Sequence, residues 1–243
     1  MKKRIYLVLL SVTVLFFSCK DKKDDYAEQL FTNNEISLAL KVCIDTAAFY
    51  TINALCTPDT INKEIGYTYY DAKSYYLDLP DAAKVIVDTL KKNGFDNNID
   101  TLLTNAMNLA AELCGKDLIR SFWKPLSDSI KFPVPNAILR GGNNALTNYV
   151  KQNYQTEFVS VLVNNLLKEQ FKELDIISKW NEWQDEYRKI TGTYSSIDIL
   201  TPTAQQMAAG FFRKMALEEE AIRNDASRRG NKNGLFYKVF AIL

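Results

Sequence analysis

The sequence predicts an all-α fold, a multi-helix bundle of about eight helices, from the spacing of its apolar residues. Three observations carry this. Gly (9) and Pro (6) are scarce in 243 residues, while Leu, Ala, Lys and Glu, which favour helices, are plentiful. Apolar positions recur three and four residues apart over long stretches. Capping and stop residues punctuate those stretches.

In chain order, Met1-Lys2-Lys3-Arg4 is a basic start and Ile5 to Phe17 is uncharged and strongly apolar. That run has the size of a signal-peptide core and is short of the ~20 apolar residues a membrane span needs. Ser18-Cys19 follows, and then the polar run Lys20-Asp21-Lys22-Lys23-Asp24-Asp25. This order resembles the lipobox of bacterial lipoproteins. Phe16 and Phe17 stand in place of the usual Leu and small residue, a looseness similar to that of Bacteroidetes. The resemblance implies a signal peptide over 1–18, lipidation of Cys19, and a charged tether over 19–30. It also implies an outer-membrane location, on the periplasmic face or the cell surface. Two or more acyl chains hold stably where one is marginal.

A single helical domain is expected over 31–243. Thr32 and Glu35 form a capping box for a helix carrying Ile36, Leu40, Cys43, Ala47 and Tyr50. Thr57-Pro58-Asp59 stops it. Residues 58–80 are Tyr-rich and aperiodic, a long loop or small β-hairpin. Further helices are expected over 81–93, closed by Gly94, over 96–114, and over 116–130 with an interruption near Pro125. Pro133 and Pro135 mark a rigid linker. Asn136 is expected to cap a turn over 137–140, and Asn143 to open the next helix. Residues 155–173 and 175–190 read as two more. After a loop or short strand, Pro202 starts a long helix to about Asp225, and 235–241 forms the last.

The chain has no histidine, which removes Ser-His-Asp and Cys-His catalysis and every His-containing metal site. No cofactor or metal is expected. Without residues 1–18, 27 basic side chains face 29 acidic ones, a formal charge of −2. That balance gives no electrostatic reason to expect nucleic acid. Cys43 and Cys56 share one helix and stand roughly 20 Å apart, beyond bonding reach. A disulfide would involve Cys114 with one of them. The plainer reading is three free buried thiols.

Four features are candidate ligand sites. Ala208, Phe212, Met215, Glu219 and Ile222 share one helical stripe, so Glu219 lies among apolar neighbours. Arg223 is four residues on and placed to pair with it. Either Glu219 is a functional carboxylate or the two form a structural ion pair. Glu112, beside another apolar face, is a second carboxylate. It would act with Glu219 as a glycosidase pair only at ~5–9 Å. Arg140-Gly141-Gly142-Asn143-Asn144 joins two helices. Its amides and Arg140 suit an anion, although a tight corner is the plainer use of two glycines. Tyr67, Tyr69, Tyr70, Tyr75 and Tyr76 crowd one loop, either to meet a partner or to pin that loop to the bundle.

Three segments in order carry a family resemblance: Leu30-Phe31-Thr32-Asn33-Asn34-Glu35-Ile36, Ile138 to Tyr149 around Gly141-Gly142, and Gly210-Phe211-Phe212 through Glu219-Glu220-Ala221-Ile222-Arg223-Asn224-Asp225 to Arg228. The chain resembles the bacterial helical family called domain of unknown function 4197. The motif residues are Thr32, Asn34, Glu35, Gly141, Gly142, Tyr149, Gly210, Glu219, Arg223, Asp225 and Arg228. Ala226 stands where the family pattern has Pro. The resemblance implies an exported, often lipid-anchored protein and no known reaction. The leading expectation is a membrane-tethered module that binds a protein or glycan ligand without catalysis. The alternatives are a carboxylate-dependent hydrolase or lyase acting on a glycan or cell-wall polymer, and a small-ligand carrier.

Overall fold

The capping box over Thr32 and Glu35 forms as its residue types dictate. The Thr32 hydroxyl accepts the Glu35 amide at 3.3 Å, and the Glu35 carboxylate accepts the Thr32 amide at 2.8 Å. It starts α1 (Asn33–Cys56), the central helix of a computed structural model that describes residues 30–56, 66–68 and 75–243. The signal, Cys19 and the tether up to residue 29 lie outside the described residues, as do Tyr69 and Tyr70. Most of the expected loop or hairpin over 58–80 does too, and its described parts are turn and irregular backbone.

The other elements are α2 (Asp81–Lys92), α3 (Ile99–Leu113), α4 (Gly115–Leu118), a π turn (Ile119–Trp123), α5 (Lys124–Ser129), α6 (Pro135–Arg140) and α7 (Ala145–Val161). A second π turn (Leu162–Leu166), α8 (Leu167–Glu173), α9 (Ile176–Thr191), α10 (Leu200–Asn224), a 3₁₀ turn (Ala226–Arg229) and α11 (Leu235–Phe240) complete them. Joining runs that continue into one another gives eight helices and no strand among the described residues.

α1 is long and apolar enough to cross a membrane by length and composition. Its Ile36, Leu40, Cys43, Ile44, Ala47 and Leu55 are nonetheless buried inside the bundle, as in the core helix of a folded domain. α10 packs along it and also against α7. The expected stripe of Ala208, Phe212, Met215, Glu219 and Ile222 is buried throughout. An aromatic cluster joins these layers: Trp123 stacks on Phe211 at 5.2 Å between ring centres, and Phe158 meets Phe122, Phe211 and Phe212.

Several boundaries differ from the sequence expectation. α3 starts at Ile99, not Asp96, because the Asp96 carboxylate turns back onto the Asn98 amide at 2.9 Å. The irregularity near Pro125 is the π turn just before it, so helical winding continues through the proline. Asn136 does not cap α6. Pro135, with its preset φ, takes the first helical position, and the Asn136 side chain accepts from Arg140 Nε at 3.1 Å. No break separates the helix opened at the Gly-Gly corner from 155–173: one run extends from Ala145 to Glu173 through the second π turn. Asp198, not Pro202, marks the start of α10, its carboxylate accepting the Leu200 amide at 2.8 Å.

Candidate functional site

The corner between α6 and α7 is the centre of the candidate site. α6 ends with carbonyls that have no partner in its own helix, and α7 begins with unpartnered amides. Gly141 and Gly142 bring these two ends together. A Cβ on Gly141 would lie 2.4 Å from the Ala145 Cβ and 3.3 Å from the Ala137 carbonyl, whereas one on Gly142 meets nothing within 4 Å. Gly141 is therefore required by close approach, and Gly142 is not.

α10 supplies the partners. Glu219 is 0 % exposed. Its Oε1 accepts the Leu146 amide at 3.0 Å and Arg223 Nε at 2.8 Å, and its Oε2 accepts the Thr147 amide at 2.6 Å. Arg223 donates from Nη1 to the Leu139 carbonyl at 2.6 Å and from Nη2 to the Ile138 carbonyl at 3.2 Å. An anion thus sits at the positive end of α7 and a cation at the negative end of α6, both favourable for the helix dipoles. The corner does hold an anion on its amides, and that anion is the chain's own Glu219. The cation beside it is Arg223 rather than Arg140.

The chain belongs to the family described as "Protein of unknown function (DUF4197)". Residues 31–241 match it. No curated protein and no solved structure matches the chain.

Other residues of this DUF4197 domain add ties around the clamp. Asn143 reaches Glu220 at 2.9 Å, a further tie between the corner and α10. The Tyr149 hydroxyl donates to the Lys131 carbonyl at 2.7 Å, and its ring packs on Phe132, fixing α7 to the segment before α6. Gly210 faces the Tyr75 and Tyr67 rings, and the Tyr67 hydroxyl donates to the Met207 carbonyl at 3.0 Å. Tyr67 and Tyr75 are buried, so these two rings hold their loop against α10. Asp225 caps the 3₁₀ turn by accepting the Ser227 amide at 2.8 Å, and Arg228 pairs with Glu218.

Two contributors were not singled out from the sequence. Arg229 donates to the Ile222 and Phe240 carbonyls, each at 2.9 Å, and to the Arg223 carbonyl. It closes the end of α10 and ties it to α11. Asn108, fully buried, brackets Leu77: its Oδ1 accepts the Leu77 amide at 2.7 Å and its Nδ2 donates to the Leu77 carbonyl at 2.9 Å. Asn108 holds backbone 31 residues away and Arg229 holds backbone 6 to 11 residues away on two helices, contacts that no helical spacing marks.

Glu112 is buried but belongs elsewhere. Burial raises its carboxyl above the usual range, a hydrogen bond from Thr68 opposes that, and Oε1 has no hydrogen-bond partner among the described residues. Its charge is felt at Cys56, while that of Glu219 is felt at Cys43. Thirteen residues of α1 separate those cysteines, roughly 20 Å at helical rise. The two carboxylates do not converge, and the ~5–9 Å geometry of a glycosidase pair is not formed. Of these candidates, Glu219, Arg223 and the Gly141-Gly142 corner come together, the Arg140 side chain donates to Asn136, and Glu112 stands apart.

Proposed function

We propose that this DUF4197 protein is a lipid-anchored module of the cell envelope that binds a protein partner and carries out no chemistry. The observation that carries this is the saturation of Glu219 and Arg223. The groups best placed to act on a ligand are engaged with backbone amides, backbone carbonyls and each other. What the domain offers outward is apolar surface. Leu38 (55 % exposed), Val42 (45 %) and Phe49 (50 %) lie along one line of α1. The line is about 16 Å long at helical rise. Its far end opens into a surface groove of about 370 Å³ bounded by Phe49, Tyr50, Ile119 and Trp123.

The partner this face fits is an amphipathic helix laid along α1, with one large apolar side chain seated in the groove. A glycan would call for a polar lining. The charges at the groove are already engaged, Asp45 with the Ser127 hydroxyl at 2.8 Å and Lys124 with Asp128. The anchor rests on the order of basic start, apolar run and Cys19.

The test uses the full-length chain in its own cells. A photo-crosslinking residue at Val42 is expected to trap one defined membrane-associated protein, and Phe49→Glu to abolish that adduct. An adduct pattern unchanged by Phe49→Glu would overturn the docking face. Cys19→Ala is expected to release the chain from the membrane fraction, and its retention there would overturn the anchor.

A further inference from the structure

Among the described residues Cys43, Cys56 and Cys114 are free thiols, and two of them are neighbours. Cys56 ends α1, and Cys114 is the joint between α3 and α4. Gly115, next to Cys114, lies directly on Cys56. A Cβ on Gly115 would be 2.0 Å from the Cys56 Cβ, 2.8 Å from its Sγ and 3.5 Å from its Cα. The absence of a side chain at 115 lets the end of α1 approach the α3–α4 joint this closely. Cys114 follows at one Cα step, about 3.8 Å. At most about 9 Å then separates the two cysteine Cα atoms, a range that includes the ~4.4–6.8 Å a disulfide spans. Each thiol's charge is also felt within this buried cluster, under Tyr67. Cys43 is excluded, since it lies roughly 20 Å up α1 from Cys56.

We propose that Cys56 and Cys114 form an intramolecular disulfide under oxidising conditions. The sulfur–sulfur bond forms as the two thiols give up two protons and two electrons. The electrons go to the disulfide of a thiol–disulfide oxidoreductase or of oxidised glutathione, which leaves as thiols. Burial pushes the Cys114 thiol up to about 12 and raises Cys56 as well, so few thiolates exist once the chain is folded. The bond forms while the chain folds, before that burial is complete. It closes residues 57–113 into a loop and fastens the end of α1 to the α3–α4 joint. This inference is independent of the docking face.

The experiment refolds the full-length protein in a reduced/oxidised glutathione buffer, blocks remaining thiols in denaturant, and maps the peptides by mass spectrometry. The expected product links the Cys56 and Cys114 peptides with loss of two hydrogens and leaves Cys43 blocked as a free thiol. Reduction is expected to lower the Tm of that product by about 10 °C, with no such shift for Cys56→Ser or Cys114→Ser. Both cysteines recovered as blocked thiols, or a linkage through Cys43, would overturn the proposal.

Discussion

Glu219 and Arg223 lie one turn apart on α10 and form a buried ion pair, yet each holds the end of a different helix. The carboxylate closes the start of α7 and the guanidinium closes the finish of α6. A buried pair of this kind is costly to desolvate, and removing one partner strands the other. Glu219→Gln keeps the shape but leaves Arg223 as an uncompensated charge and points an amide nitrogen toward backbone donors. The expected loss is about 3–5 kcal/mol. For a chain of this size that is roughly a 6–20 °C fall in Tm. Combining it with Arg223→Met removes both charges and should recover part of the loss, because the two sites are coupled. Chemical denaturation of the two singles and the double checks this. A single substitution with unchanged stability would show that the clamp does not hold the corner.

The glycine pair gives a contrast within one dipeptide. Gly141→Ala drives a methyl to 2.4 Å from Ala145, on rigid helix rather than on the tip of a flexible side chain. The corner must open, at an expected cost of about 1–3 kcal/mol. Gly142→Ala meets open space and should stay within ~0.5 kcal/mol of the parent. Equal effects in urea melts would refute the close-approach account.

These two cases show what was legible in the sequence. The i to i+4 spacing announced the Glu219–Arg223 contact, and the Arg140-Gly141-Gly142-Asn143-Asn144 run announced both a tight corner and an anion-holding helix start. That the two are one constellation was not legible, because Leu146 and Glu219 stand 73 residues apart. Local periodicity says which face of α10 is buried and nothing about what it is buried against. The π turns were equally hidden. They insert a residue into a continuing helix, and the break expected between 150 and 155 falls inside α7, ahead of the π turn at Leu162–Leu166. Capping failed in both directions: the expected Asn136 cap does not form, and a distant cap was not visible. The Thr32 box is satisfied within four residues and was visible. The start of α7 is capped by α10, and no neighbouring residue reveals that.

Glu112 has the opposite electrostatics from Glu218, and pH separates them. Burial raises its folded-state carboxyl above the unfolded value of 4.5, so between those two values the folded chain binds more protons than the unfolded one. By linkage, its contribution to stability falls as pH rises through that window, and the penalty is fully present above the folded value. Glu112→Gln removes the charge while an amide oxygen can still accept from Thr68. The variant should be more stable than the parent at neutral pH and lose that advantage as pH falls below the window. Glu218 runs the other way. It too is penalised by burial, but its ion pairs with Lys214 and Arg228 outweigh that and lower its carboxyl, so its stabilising contribution is lost on acidification. Comparing parent and Glu112→Gln at each pH cancels the Glu218 contribution, which both proteins share. Urea melts from pH 4 to pH 8 read the difference directly. A variant less stable than the parent at pH 7 would mean that the Glu112 charge is compensated in the fold, contrary to an Oε1 that has no partner among the described residues.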